Sequence, residues 1–249
     1  MSQGRDRKET GRSDVAAVAR DLAARVRWES ELGGAGYRAS ASPTRVAARG
    51  RGAPDRDPAQ ALATLRAEIG DCTRCRLHEG RTLLVYGEGN PAARLVFVGE
   101  GPGRDEDVSG RPFVGAAGQL LTRIIEAIGL ERSEVYICNV VKCRPPENRA
   151  PASDETDTCG PFLRRQLEIL SPQVVVALGA TAAHFLTGRN EPMGRLRGRF
   201  HEASGLKIMP TYHPAYLLRS PEAKRPVWED MQQVQAALGL KPAPRKKGS

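Results

Sequence analysis

Apolar and polar positions switch period repeatedly along residues 58 to 240. Residues 58–69 carry spaced leucines and an isoleucine, and they predict a first helix. Residues 95–98 are a short apolar run rich in valine, as expected of a strand buried on both faces. Gly99 breaks that run. Apolar residues return at Leu120, Leu121, Ile124, Ile125 and Ile128, a helical spacing over residues 115–130 with Gly129 placed as C-cap. A second strand is expected at 134–141, a helix at 154–170, a strand at 173–178, a helix at 180–186 and a strand at 206–211. Ser220 as N-cap and Pro221 at the first position open a last helix that runs to about Leu238. Strand and helix alternating in this way imply an α/β fold, a three-layer α/β/α arrangement around a mostly parallel central sheet. In such sheets ligands bind at the carboxyl ends of strands, and the glycine-rich acidic loop after Val98 stands at one of them.

The first 58 residues read differently. Residues 13–32 have Val15, Val18, Leu22 and Val26 on one face and form a candidate amphipathic helix with Ser13 as N-cap. Gly, Ala, Ser, Pro and Arg then dominate up to Pro58 without periodicity, which is linker composition. The expected division is an N-terminal extension over 1–58, one domain over 59–240 and a basic tail over 241–249.

Charge follows the same division. The net charge is +9, but residues 1–58 hold 12 Lys/Arg against 8 Asp/Glu, and 241–249 hold four basic residues and no acid. The domain itself is therefore close to neutral, so nucleic-acid affinity there must come from local clusters, with the tails adding salt-sensitive attraction. No apolar run approaches a membrane span, so no membrane partner is expected. The charged first residues show no secretory signal, and a cytoplasmic, monomeric protein without disulfides is expected.

Four of the five cysteines have metal-ligand character: Cys72 and Cys75 as C-x-x-C, then Cys143 and Cys159. Four thiolates suit zinc or an iron–sulfur cluster, and spacing does not choose between them. Cys138, inside a strand, reads as a buried small hydrophobe. The loop Gly99-Glu100-Gly101-Pro102-Gly103 lacks the Gly-Lys-Ser/Thr of a P-loop and the glycine spacing of a dinucleotide site. It does offer Glu100 and Glu106 close to Phe113; singly, such features are a solvated acidic loop and a core aromatic. With Asn139 near the end of the second strand and His213 directly after the last, three strand ends aim Glu100, Glu106, Asn139 and His213 at one crevice.

Gly-Glu-Gly-Pro-Gly, then Gly-Arg-Pro-Phe-Val-Gly, Asn-Val-Val-Lys-Cys-Arg-Pro-Pro and His-Pro-Ala-Tyr-Leu-Leu-Arg, in this order between Cys72 and Arg219, resemble the motifs of family 4 uracil-DNA glycosylases. The resemblance implies the uracil-DNA glycosylase superfamily fold and a 4Fe-4S cluster on Cys72, Cys75, Cys143 and Cys159. It also implies a hydrolase of N-glycosyl bonds that removes uracil from single- or double-stranded DNA in base excision repair. A related branch that binds uracil-DNA covalently carries Gln where this chain has Gly101, and a nucleophilic histidine in an insert that has no counterpart after Cys143. A covalent or non-catalytic uracil-DNA binder is therefore the second expectation.

On that resemblance Phe113 stacks on extruded uracil, Asn139 reads its edge, and Gly101 lets the backbone approach the base. His213 donates to O2 of the leaving uracil. Glu106, or else Glu100, orients the attacking water, although Glu106 is equally a candidate for the bulk that excludes thymine. Leu217 or Leu218 is the wedge that fills the vacated stack, with Arg219 on a phosphate. Arg74, Arg76, Lys142, Arg144 and Arg149 around the cysteines are expected as further phosphate contacts.

Overall fold

The computed structural model describes residues 57–241. The expected helix over 13–32, the linker behind it and most of the basic tail lie outside the described residues. Among those described, no helix is long and apolar enough to cross a membrane.

Helix α1 (Pro58–Ile69) opens with Asp57, whose side chain accepts from the Ala59 amide, and with Pro58 in the first turn where no amide partner is needed. Strands β1 (Glu88–Gly89), β2 (Leu95–Gly99), β3 (Tyr136–Asn139), β4 (Val174–Leu178), β5 (His201–Ala203) and β6 (Leu206–Thr211) form one sheet in the order β1-β3-β2-β4-β6-β5. The four inner strands are parallel, and the edge strands β1 and β5 are antiparallel to their neighbours. Both edge strands are absent from the apolar pattern because they are two and three residues long and half exposed.

Every residue of β2, β3 and β4 is buried. Alternate residues face opposite layers. Val96, Val98, Tyr136, Val175, Ala177 and Ile208 pack with α1, α4 (Ser153–Leu170), α5 (Ala180–Thr187) and α6 (Met193–Leu196). Leu95, Phe97, Ile137, Val174, Val176 and Met209 pack with α3 (Ala116–Ala127), α7 (Pro214–Arg219) and α8 (Lys224–Ala237). The strand period of two thus builds two cores from one sheet, which is the expected three-layer α/β/α architecture.

Two local expectations change. The acidic stretch after Gly103 is a short helix, α2 (Arg104–Ser109), closed by Gly110 at φ 70°. The last helix is entered through a 3-10 turn at Pro221–Ala223, and Ser220 makes no capping hydrogen bond with its side chain. Gly129, at φ 87°, does take the left-handed position that ends α3.

Phe97 lies fully buried in the central strand of the α3/α8 layer. Phe97→Ala should cost about 3–5 kcal/mol, read as a lowered denaturant midpoint with the slope retained; a loss under ~1 kcal/mol would contradict this packing.

Candidate active site

The carboxyl ends of the four parallel strands open into a cavity of about 450 Å³. Glu100, Gly101, Glu106, Phe113, Asn139, His213 and Arg219 all line it. Residues separated by more than a hundred positions meet because β2, β3 and β6 run parallel and each delivers its following loop to the same edge.

The wall behind Glu100 is drawn together by Glu106. Its Oε2 accepts from the Gly103 amide at 3.1 Å, and its Oε1 accepts from the Val114 amide at 2.9 Å and the Gly115 amide at 3.1 Å. One carboxylate therefore ties the start of α2 to the segment that carries Phe113. Asp107, next along, is buried and accepts from the Thr82 amide at 2.9 Å, so half of the acidic run is structural rather than solvated.

Phe113 has φ 51°, a left-handed conformation for an aromatic residue, and it is buried. Two glycines make room for it. A Cβ at Gly99 would stand 2.6 Å from Phe113 Cζ, and one at Gly118 would overlap the Phe113 carbonyl. These glycines carry no chemistry that a motif search would find. Gly101 is packed differently: its added Cβ would lie 2.7 Å from Val141 Cγ2, so close approach there is first to the neighbouring loop.

Asn139, at the end of β3, is 1% exposed, and its Oδ1 is the buried side-chain polar atom left without a hydrogen-bond partner among the described residues. An orphaned buried amide oxygen costs about 1–3 kcal/mol, so a donor arriving in the cavity would recover it. His213 caps α7: its Nδ1 accepts from the Ala215 amide at 3.1 Å. A neutral ring held in that way carries its proton on Nε2. Burial pushes the imidazole down to about 4 and Arg219 adds to the fall, while the Glu106 carboxylate opposes it. The ring centroid of Phe113 lies 5.5 Å from that of His213, tilted by 33°. Glu100 accepts through Oε2 from the Thr181 hydroxyl on α5, a partner that no motif indicated.

The two adjacent leucines of α7 separate. Leu217 is 1% exposed and packs in the α3/α8 core, so the expected role as a wedge does not fit it; Leu218 is 46% exposed. A helix sends neighbouring residues to different faces, and only one of the pair can leave the core.

Lys142 also departs from expectation. It is 1% exposed, and its Nζ donates to the Asn139 carbonyl at 2.8 Å and to Gln166 Oε1 at 2.6 Å, so it is no surface phosphate contact. Arg76 and Arg149 both bond Glu155, and Arg74 lies over the Phe162 ring at 5.2 Å.

Cys72, Cys75, Cys143 and Cys159 line a single small cavity with Ile69, Leu84, Lys142 and Phe162, and Cys138 lies apart within β3. Among the described residues no three His, Cys, Asp or Glu side chains converge as on a single metal ion. Three of the sulfurs have N–H donors: Arg74 Nη1 to Cys72 at 3.2 Å, Arg81 Nη1 to Cys143 at 3.3 Å and the Lys142 amide to Cys159 at 3.3 Å. Arg81 is nearly buried and also bonds Asp71 and the Cys72 carbonyl, a role its sequence position did not signal. Burial pushes the Cys159 thiol up to about 11, so as a free thiol it would be unreactive.

The model of the Uracil DNA glycosylase superfamily matches residues 86–232, and the chain belongs to that superfamily. It is 52% identical over 171 residues to the Type-4 uracil-DNA glycosylase of Thermotoga maritima, covering 67% of this chain and 89% of the relative. It is 43% identical over 190 residues to the Type-4 uracil-DNA glycosylase of Archaeoglobus fulgidus, covering 73% of this chain and 96% of the relative. The Type-5 uracil-DNA glycosylase of Pyrobaculum aerophilum is 32% identical over 156 residues, covering 55% and 67%.

His213 should stay neutral across the physiological range. Because its pKa in the folded protein, about 4, is below the ordinary 6.5, the unfolded chain takes up a proton that the folded protein refuses between those values. Its contribution is therefore lost as pH falls from 6.5 towards 4. An imidazole NMR titration should place the His213 midpoint near 4; a midpoint at 6.5 would remove the argument for the Nε2–H tautomer as a fixed donor.

Proposed function

We propose that this protein extrudes uracil from DNA and hydrolyses its N-glycosidic bond, releasing uracil and leaving an abasic site for base excision repair. The observation that carries the reading is the pairing of an unpartnered buried Asn139 Oδ1 with a neutral His213 Nε2–H donor in one cavity walled by Phe113. The relatives' name, uracil-DNA glycosylase, agrees with it.

In this mechanism the base leaves the stack and lies against Phe113. Asn139 accepts from uracil N3–H and donates to O4, the reverse of what cytosine offers. As the glycosidic bond lengthens, negative charge collects on O2, and His213 donates to it. A neutral donor preset by the Ala215 amide needs no reorganisation during the step. Thr181 holds one oxygen of Glu100, whose other oxygen has no donor among the described residues. That arrangement suits orienting the water. Glu106, with three main-chain amides on its carboxylate, has little acceptor capacity left and is assigned to holding the Phe113 wall. Leu218 is the wedge and Arg219 a phosphate contact. Pro145, Asn148 and Arg149 supply the cavity lining after β3, none of them a nucleophile, which favours a hydrolase that turns over above a covalent binder. On this reading residues 59–240 carry the activity, and 1–58 and 241–249 add loose electrostatic attraction to DNA.

The four cysteines would hold a 4Fe-4S cluster. They line one apolar cavity, and three of their sulfurs accept N–H donors, a setting that stabilises thiolate ligands. Bound there, the cluster would cross-link the segments around Cys72, Cys143 and Cys159 and hold the loop after β3 against α4.

Single-turnover release from a uracil-containing oligonucleotide tests the assignments. His213→Ala should slow release by about 10²- to 10³-fold, with the smaller part of the loss in DNA affinity. Asn139→Asp should lose more activity on uracil than on cytosine, because its carboxylate cannot donate to O4. Glu100→Ala should slow release more than Glu106→Gln. Equal or reversed losses would return the water to Glu106. Thymine release by Glu106→Ala would add a steric role to that side chain.

Metal analysis of the purified protein should find about four irons per chain and a brown colour, and Cys143→Ala should bleach it. Colourless, stable protein with stoichiometric zinc would overturn the cluster.

A further inference from the structure

Two guanidinium groups line the cavity, and they arrive from different sides of it. Arg149 follows β3, and Arg219 ends α7 behind β6. Strands β2 and β4 lie between β3 and β6, so the strand ends from which the two segments depart are about 14 Å apart across the sheet, three strand spacings. The carboxylates of Glu100 and Glu106 lie in the cavity itself and repel anions, and His213 is neutral. Cations at the rim are therefore what an anionic strand can meet.

Arg149 is held in place. Glu155, buried in the first turn of α4, accepts from Arg149 Nη1 at 2.8 Å and Nη2 at 2.6 Å, from the Ala152 amide at 2.7 Å and from Arg76 Nε at 3.2 Å. Arg149 Nη1 also donates to the Ala150 carbonyl at 2.9 Å. Such a two-pronged pair fixes the plane of the guanidinium. It does not consume it: the side chain remains 39% exposed, and Nε–H has no partner among the described residues.

The backbone leading to Arg149 is constrained as well. Glu147 and Asn148 have φ 55° and 56°, two successive left-handed residues that are not glycine, and Asn148 Oδ1 accepts from Arg144 Nε at 2.8 Å. Strained backbone at a cavity rim persists where the surrounding contacts over-determine it.

We propose that Arg149 is a phosphate ligand of the DNA strand, gripping the phosphodiester on the side of the extruded nucleotide away from Arg219, and that Glu155 is its positioning residue. A nucleotide drawn into the cavity carries a phosphodiester on each side. Two cations lining the cavity and delivered from two different strands match it, and the one bound to Glu155 is set before the strand arrives. The inference rests on the reading of the cavity as a uracil-DNA site.

The test uses the full chain and a fluorescein-labelled oligonucleotide whose single deoxyuridine carries a cleavage-resistant 2′-fluoro sugar. Fluorescence anisotropy is measured over a range of salt concentrations. Arg149→Ala should weaken binding by roughly tenfold and reduce the slope of log affinity against log salt by about 0.7–0.9, one phosphate's worth of released counterion. Arg149→Lys should keep the slope and recover part of the affinity. Glu155→Gln should weaken binding in the wild-type background and add nothing in the Arg149→Ala background, because it acts through that side chain.

The double variant leaves no buried carboxylate facing a lost partner, so it carries the slope measurement if Arg149→Ala does not fold. An unchanged slope in either folded variant overturns the phosphate contact, and additive losses overturn the role of Glu155. Release of uracil from the unmodified oligonucleotide by wild type is scored separately. If it fails while the slope change holds, the glycosylase reading falls and the DNA grip stands.

Discussion

The Glu106 carboxylate, bonded to the amides of Gly103, Val114 and Gly115, holds the working edge of this protein together. Each such charge-assisted bond is worth about 1.5–3 kcal/mol, comparable to the ~1–3 kcal/mol that a left-handed Phe113 costs. The clamp lets a strained aromatic persist as the wall of a cavity. Gly99 and Gly118 leave the space that Phe113 occupies, so the wall is built from one carboxylate and two missing side chains.

Around that edge the fold places charge in three different ways, and each suits its position. Asp230 is buried on α8 and its carboxyl is pushed up by burial against the pull of Thr211 and Arg197; it accepts from the Thr211 hydroxyl at 2.6 Å and Arg197 Nη2 at 2.7 Å, pinning the end of β6 two residues before His213. Glu155 is held down at about 2, first by Arg149, and pins the loop after β3 to α4. Lys142 sits among neutral partners and the cysteine cavity, and burial lowers its pKa, an arrangement that anionic thiolates nearby would stabilise. The ends of two strands, β3 and β6, are thus each tied to a helix through buried ionisable side chains. The cavity is preorganised by its supports rather than by its own contacts.

The neutrality of His213 follows from the same burial. The Glu106 carboxylate lines the cavity with it, yet desolvation outweighs its attraction, and the ring is left as a fixed dipole with its hydrogen on Nε2. A catalytic group that starts neutral stabilises a developing anion without first having to be charged in a dry site.

Residues 58 to 240 announced their fold through periodicity. Helix α1 and strand β6 begin and end where the pattern places them, the other inner strands, α4 and α5 agree to within two residues, and α3 ends three residues before Leu130 while α8 begins three after Pro221. That succeeded because burial on a helix stripe or on both faces of a parallel strand is written locally, residue by residue. The meeting of Glu100, Asn139 and His213 was legible for a related reason, since each stands at or within two residues of a strand's carboxyl end and parallel strands share one carboxyl edge. What the tertiary structure alone decided was which partner each side chain finds. Lys142 and Arg149 are both basic residues of one loop, yet one is buried beneath Asn139 and the other bonds Glu155 at the cavity rim. Leu217 and Leu218 are the same residue type one step apart and part company on a helix turn. Glu106 reads as one more acid in an exposed run until the Phe113 segment folds back and supplies two amides. Those outcomes depend on groups brought from elsewhere in the chain, and a local pattern carries no record of them.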